Sequence, residues 1–442
     1  MSEPYPWFRP TSWGRYPMTR GRAVPVFDRD LSALPDVQGT LLPYGNGRSY
    51  GDVALNDGES LLLTKGLDRF IAFDPVSGTL SCEAGVLIGE ILQLIVPRGW
   101  FVPVTPGTRF VTVGGAIAND VHGKNHHRRG SFGNHVTRLR LLRSDRGPVD
   151  CSPESNPELF SATIGGLGLT GLMLSAEFQL IPVAGSYLRM ETRRFSNLAE
   201  FFEISAESEQ QWEYTVAWVD CIAKGKHAGR GVFYRAEHCD YAPSRTFVYR
   251  TRPQIPFAPP FSFVNHFTSS VFNQIYYRAS PSRARVTYQH YLPFFYPLDN
   301  LPGWNSLYGP RGFLQHQCVV PLDRTDALRE IFDEVGRDGH GSFLAVLKVF
   351  GDIESLGLLS FPRPGVTLAI DLPIVGKRTF QFLDRLDRIV FEAGGAVYPA
   401  KDARMSPSTF ERGFPRAAEF ERYRDPRFDS SFWRRVRSGL AA

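Results

Sequence analysis

Hydrophobic positions along the chain follow two rhythms, and the change from one to the other divides it. In "VLIGEILQLIVPRGW", Leu87, Ile88, Ile91, Leu92 and Ile95 share one helical stripe, and Pro97 with Gly99 closes it. "TVGGAIANDVHG" repeats that spacing with Val113, Ala116, Ile117 and Val121, which makes Gly123 the expected C-cap. Two further helices are predicted in "RTDALREIFDEVG" (Leu328, Ile331, Phe332, Val335) and "RTFQFLDRLDRIVFEAGG" (Phe380, Leu383, Leu386, Val390). Short strands and glycine turns surround the first pair, from residue 38 to about 185. Longer alternating strands such as "GVTLAIDLPI" surround the second pair, from 186 to about 395, and predict one sheet with helices on one side.

A chain of 442 residues exceeds one ordinary core, so the expectation is an α+β protein of two domains. Residues 1–185 would form the first, and 186–395 the second, an antiparallel sheet covered by helices, with 396–442 returning to the first. Within the second, residues 245–313 mix aromatics and prolines with charge that is mostly Arg. A loop-like insertion of this length reads either as a mobile lid or as an irregular excursion packed on the sheet. The tail "RYRDPRFDSSFWRRVRSGL" reads as a solvated terminal helix.

Composition narrows the function classes. The chain is 43% hydrophobic and 21% charged, a globular balance. Its net charge of +5 is dispersed and no RNA-binding motif accompanies it, which speaks against a nucleic-acid partner. The five cysteines form no CxxC pair and read as reduced thiols, not as a disulfide frame or a zinc site. With no secretory signal and no bilayer-length apolar run, the expectation is a cytoplasmic protein, with peripheral contact at the inner membrane compatible.

Three glycine clusters carry the first functional hint. "LLPYGNGRSYGDVAL", residues 41–55, is no Walker loop, because Arg48 follows Gly47, and no Rossmann loop, because Tyr50 stands at the sixth position. What remains is a nest of backbone N–H groups. "TPGTRFVTVGGAIANDVHGKNHHRRGSFGNHV" holds four of the ten histidines, but Gly123 breaks the helix that His122 and His126 would need, so no metal is assigned. Its Gly114, Gly115, Ala116 and Ala118 fit a helix start lying against a flat ligand. "ATIGGLGLTGLMLSAEF" adds Gly165, Gly166, Gly168 and Gly171. A dinucleotide is long enough to run past all three. In the second half, Gln315 and Gln317 share a strand face, as do Thr367, Ala369 and Asp371, while Lys348 stands on a third strand. Parity leaves open whether these faces coincide, and whether they are solvated or line a cavity.

These motifs, with "YYRASPSRARVTYQHYLPFFYPLDNLPGWNSLYGPRGFLQHQCVVPLD" and "GGAVYPAKDAR", resemble the vanillyl-alcohol oxidase superfamily. Within it the chain resembles the flavin subunits of decaprenylphosphoryl-β-D-ribose 2′-epimerase over nearly its whole length, most weakly at 186–275. The resemblance implies the two-domain fold and FAD. Pro43, Tyr44, Gly45, Asn46, Gly47, Arg48, Ser49, Tyr50, Gly51 and Asp52 would wrap the pyrophosphate. Gly107, Thr112, Val113, Gly114, Gly115, Asn119, Asp120, Val121 and His122 would line the adenine-to-flavin path, completed by Gly171 and Tyr398. Many members attach flavin through a histidine at or near the position of Tyr50; tyrosine cannot make that bond, so non-covalent FAD is expected.

The same resemblance assigns catalysis to Lys401 and His122, with Gln317 and Lys348. Trp218, Phe295, Gln315, Gln317, Thr367 and Ala369 would bind substrate. Ala369 stands where mycobacterial members carry a cysteine, and Phe295 with Tyr296 replaces the family's Tyr-His pair. The implied reaction is oxidation of the ribosyl 2′-hydroxyl of a polyprenylphosphoryl ribose. A separate NAD(P)H-dependent keto-reductase would complete epimerisation to the arabinose donor of cell-envelope glycans. A soluble sugar-alcohol or aldonolactone oxidase and a non-catalytic flavoprotein scaffold are the alternative readings.

Overall fold

A computed structural model describes residues 5–245, 247–253, 255, 259–339 and 341–439. Leu41–Tyr44 and Gly21–Pro25 both pair in parallel with Ser60–Leu63, and Trp7–Phe8 adds an antiparallel edge. These strands are near-continuous apolar runs because both faces are covered, and Val24, Leu41, Leu42, Leu61 and Leu62 are all buried. The glycine loop leaves this sheet at the carboxyl end of Leu41–Tyr44, the end at which sheets with parallel strands hold ligands.

A five-stranded antiparallel sheet follows, in the order Phe70–Asp74, Thr79–Glu83, Leu172–Gln179, Val136–Arg143 and Gly147–Cys151. Leu142, Leu172 and Leu174 pack it on the first sheet. Leu139, Leu141 and Phe178 join a core with Ile88, Ile91 and Leu92 of the helix Ile88–Ile95 and with Val113 and Ile117 of the helix Val113–Ala118. The second helix ends five residues before Gly123, which is therefore not its C-cap. Asn119 Nδ2 donates to the Gly115 carbonyl at 2.9 Å, and Asp120 then turns with φ of 40°.

The eight-stranded antiparallel sheet runs in the order Arg285–His290, Tyr187–Phe195, Gly231–Cys239, Tyr214–Val219, Ala345–Phe350, Gly365–Pro373, Phe313–Val320 and Ala396–Val397. Leu198–Ser208, Asp326–Asp338 and Gly376–Glu392 cover one face. The helix from "RTDALREIFDEVG" runs two residues past Gly336 and is closed by Gly339, whose φ is 75°. In the last helix Phe382, not Phe380, fills the core.

Two expectations fail here. The periodicity predicts two helices in this half, whereas Leu198–Ser208, His266–Ala279 and the short Tyr291–Phe295 add three more. The first was hidden because its buried face includes Ser205 and Ser208, and the second because its apolar side chains point outward. Helices are consequently not confined to one side: His266–Ala279 lies over the opposite face, with Tyr276 against Trp218. Residues 245–313 are also no loop-like excursion, since their described part supplies that helix, an edge strand and the short helix Tyr291–Phe295.

The C-terminal helix Ser431–Val436 is packed, not solvated; Phe432, Trp433 and Val436 are buried. Arg435 donates to Asp52 Oδ1 at 2.7 Å and to Asp402 Oδ2 at 3.1 Å. It thereby joins the end of the glycine loop to the segment after Lys401. Two buried carboxylates share this cation, so Arg435→Ala leaves both uncompensated. The expected loss is about 3 kcal/mol of unfolding free energy, read as a lowered denaturation midpoint, with a smaller loss for Arg435→Lys.

Candidate active site

Between the glycine loops and the face of the eight-stranded sheet that His266–Ala279 partly overlies is a cavity of about 1200 Å³. Ordinary ligand pockets span about 300–1,000 Å³, so this one has room for a dinucleotide and a second ligand.

At the loop end, close backbone approach is enforced twice. Gly47 has φ of 60°, and a Cβ there would lie 2.4 Å from the Tyr44 hydroxyl; a Cβ on Gly45 would lie 2.6 Å from Thr112 Oγ1. Among the described residues, the amides of Asn46, Gly47, Arg48 and Ser49 have no acceptor. Arg48 Nε and Asn119 Oδ1 are buried without a partner, and both residues line the cavity. Free amides, a guanidinium and orphaned polar atoms along one wall suit a pyrophosphate and its nucleoside. Asn46, Arg48 and Asn119 would hold such a group, and Tyr398, whose hydroxyl donates to the Asn119 carbonyl at 2.8 Å, braces the wall.

At the sheet end, register settles what parity left open. Gln315 is opposite Asp371, and Gln317 is opposite Ala369. Ala369 is in turn opposite Val346, Thr367 opposite Lys348, and Val346 opposite Trp218. Residues directly opposite in an antiparallel pair share a face, so all of these stand on one floor. His316, between the two glutamines, points to the covering helices and meets Asp387 at 3.0 Å.

Lys401 reaches this floor from the turn Pro399–Lys401. The Ala400 carbonyl accepts from the Tyr50 amide at 2.9 Å, and the Lys401 Nζ sits 3.9 Å from the Tyr50 ring centroid. Burial lowers the Lys401 pKa, partly offset by the negative charge of Asp371. Burial raises the Asp371 pKa, against the hydrogen bond from Gln315 and the field of Lys401. Asp402, the neighbour that a surface lysine would pair with, is instead taken by Arg435 and by the Met405 amide.

His122 is gripped at both nitrogens. Gln317 Nε2 lies 2.8 Å from its Nε2, and Lys348 Nζ lies 2.7 Å from its Nδ1 and donates to the Gly123 carbonyl at 2.7 Å. The Gln317 amide and the Lys348 amine thus each hold one ring nitrogen of His122. Desolvation, aided by Lys124 and Lys401, pushes the Lys348 pKa well below that of a free lysine. Burial likewise keeps His122 neutral. Lys124, buried against the Phe295 carbonyl at 3.4 Å, is lowered to about 7.

The cavity wall includes Pro43, Gly45, Asn46, Gly47, Arg48, Ser49, Tyr50, Gly107, Thr112, Gly114, Gly115, Asn119, Val121, His122, Gly171, Tyr398 and Lys401, together with Trp218, Gln315, Gln317, Lys348, Thr367, Ala369 and Phe295, while Asp371 is buried behind it. Five residues expected at the cofactor are placed elsewhere. Tyr44 donates to the Thr11 carbonyl, Gly51 packs on the Asp402 backbone, and Asp52 pairs with Arg435. Val113 is in the core, and Asp120 accepts from the Gly133 amide at 2.9 Å and from Ser360 at 2.5 Å. Sequence reasoning passed over Lys124 inside "HGKNHH", and Arg109, whose backbone amide donates a hydrogen bond to Asp299 Oδ2 at 2.9 Å.

A dinucleotide cradle facing a floor of buried acid–base groups defines a flavoprotein oxidoreductase, and comparison with known proteins agrees. A family described as "FAD binding domain" matches residues 35–152. The chain is 36% identical over 430 residues to the decaprenylphosphoryl-beta-D-ribose oxidase of Mycolicibacterium smegmatis, covering 93% of this chain and 92% of the relative. L-gulonolactone oxidase of Mus musculus is 29% identical over 161 residues, 36% of this chain and 35% of that enzyme. Delta(24)-sterol reductase of Homo sapiens is 30% identical over 135 residues, 30% and 26% of the two chains. The chain belongs to the FAD-linked oxidase family of the vanillyl-alcohol oxidase type that the mycobacterial enzyme represents. It is an FAD-dependent oxidoreductase.

Tyr50 lines the cavity and packs edge-on against Phe313, with no histidine in its place. Acid denaturation is therefore expected to release the yellow chromophore into the supernatant; colour kept in the pellet would reveal a covalent bond.

Proposed function

We propose that the chain oxidises the ribosyl 2′-hydroxyl of a polyprenylphosphoryl-β-D-ribose to the 2′-keto sugar with non-covalently held FAD. The observation that carries this reading is the meeting of Lys401, Tyr50 and Gln315 at the cavity wall, with the Asp371 carboxylate buried behind Gln315. Similarity over 93% of the chain to an oxidase of that named substrate supports it. FAD, when bound, supplies the acceptor for the hydride leaving C2′.

The remaining work falls to side chains. Lys401, shifted toward the neutral amine, binds the hydroxyl and takes its proton, and the negative field of Asp371 favours the ammonium so formed. Gln315 donates to Asp371 and fixes its orientation. The His122–Lys348–Gln317 chain holds a hydrogen-bonding wall beside them. Trp218, Phe272, Tyr276 and Phe295 give the outer cavity an apolar lining suited to a prenyl chain. The keto product requires a hydride from elsewhere, so an NAD(P)H-dependent reductase is the implied partner class. A lipid substrate also implies peripheral contact with the inner membrane by a cytoplasmic protein; among the described residues no helix is long and apolar enough to cross one.

Lys401→Met should retain FAD and lose about 10²–10⁴-fold in kcat; unchanged turnover removes Lys401 from the mechanism. Asp371 favours the charged form of Lys401, so its loss lowers the Lys401 pKa further. The limb of kcat/KM that rises as Lys401 deprotonates should move to lower pH in Asp371→Asn. Substrate class is read by anaerobic bleaching of the flavin. A short-chain polyprenylphosphoryl ribose should bleach it and free alditols or aldonolactones should not; equal bleaching by the free sugars would overturn the lipid-phosphate reading.

A further inference from the structure

The helix His266–Ala279 is turned inside out. Its fully buried positions are Ser269 and Asn273, whereas Phe267 and Ile275 are 75% and 63% exposed, with Val271 and Phe272 exposed beside them. Specific bonds hold it this way: Asn273 Nδ2 donates to Asp220 Oδ1 at 2.8 Å and to the Ser342 carbonyl at 3.2 Å. Asn265 caps the helix by accepting from the Thr268 amide at 3.1 Å. Phe261 and Phe263, also exposed, extend the patch immediately before it. Six large apolar groups within fifteen residues form a patch, not the scatter that ordinary surfaces carry.

The stretch of chain that carries this patch has charge of one sign. Residues 241–298 contain six arginines (Arg245, Arg250, Arg252, Arg278, Arg283, Arg285) and no Asp or Glu, in a chain with 45 acidic residues among 442. All six are exposed. A second copy of the chain would bring the same cations against this face, so self-pairing is opposed. Anionic lipid headgroups complement the arginines, and acyl chains accept the phenyl rings. The same helix reaches the cavity: Phe272, at the margin of the patch, and Tyr276 line it, and the Tyr276 ring lies 4.7 Å from that of Trp218.

We propose that His266–Ala279, with Phe261 and Phe263, is a docking element that seats the cavity mouth on an anionic bilayer. A lipid-phosphate substrate then passes from bilayer to cavity along apolar surface without its chain crossing water. Only this purpose rests on the lipid-phosphate reading; the docking is measured without substrate.

The test is sedimentation of the FAD-loaded full chain with vesicles of equal parts phosphatidylglycerol and phosphatidylcholine. Wild type should sediment with them, and high salt or phosphatidylcholine alone should weaken binding. The double variant Phe267→Ser/Ile275→Ser should bind about tenfold more weakly or worse, with unchanged thermal unfolding and unchanged turnover of a water-soluble short-chain substrate. Arg283→Glu/Arg285→Glu should lose the salt-sensitive part of the binding. Wild type remaining in the supernatant, or variants sedimenting like wild type, would overturn the docking. So would a wild-type dimer that the serine variant converts to monomer. Vesicle binding without oxidation of any lipid-phosphate sugar supports the docking and overturns the substrate reading instead.

Discussion

Lys401 leaves water to stand over the Tyr50 ring, with Asp371 as the carboxylate whose field it feels most. A buried ammonium costs several kcal/mol unless a counter-charge is close, and a buried carboxylate costs as much again. No short ion pair joins the two, and burial pushes each toward its neutral form against the field of the other. Lys401 in turn helps Lys124 to push the Lys348 pKa down in the same cavity. The rest of the site is arranged to keep this balance dry and in place.

Two mechanical devices do so. The first is the register of the eight-stranded sheet, which brings side chains from strands far apart in sequence onto one floor while sending His316 to the other face. The second is the tie between the glycine loop and the turn bearing Lys401. The Tyr50 amide bonds Ala400, and Arg435 bridges Asp52 to Asp402. Loop and turn therefore cannot move independently, although hundreds of residues separate them in the chain.

Much of this was legible in the sequence. The glycine clusters, the apolar stripes of four helices and the polar residues on three strands are local signals, and the structure keeps them. What was not legible depends on direction or partner. A motif names neighbours without saying which way each points, so Val113, Asp120 and Asp52 were grouped with residues that do line the cavity. Coincidence of three strand faces needs register, which alternation within each strand does not contain. The helix His266–Ala279 escaped because periodicity finds helices that bury their apolar side, and this one buries Ser269 and Asn273.

The hydrogen bond from Tyr50 to Ala400 also has a thermodynamic side. Any ligand that orders residues 45–51 acts, through that bond and through the ring beneath Nζ, on the proton affinity of Lys401. Linkage makes the effect reciprocal: whatever protonation does to the turn, it does by the same factor to the affinity of the loop. Cofactor occupancy and acid–base state are thus two readings of one equilibrium, and the protein cannot tune either without moving the other.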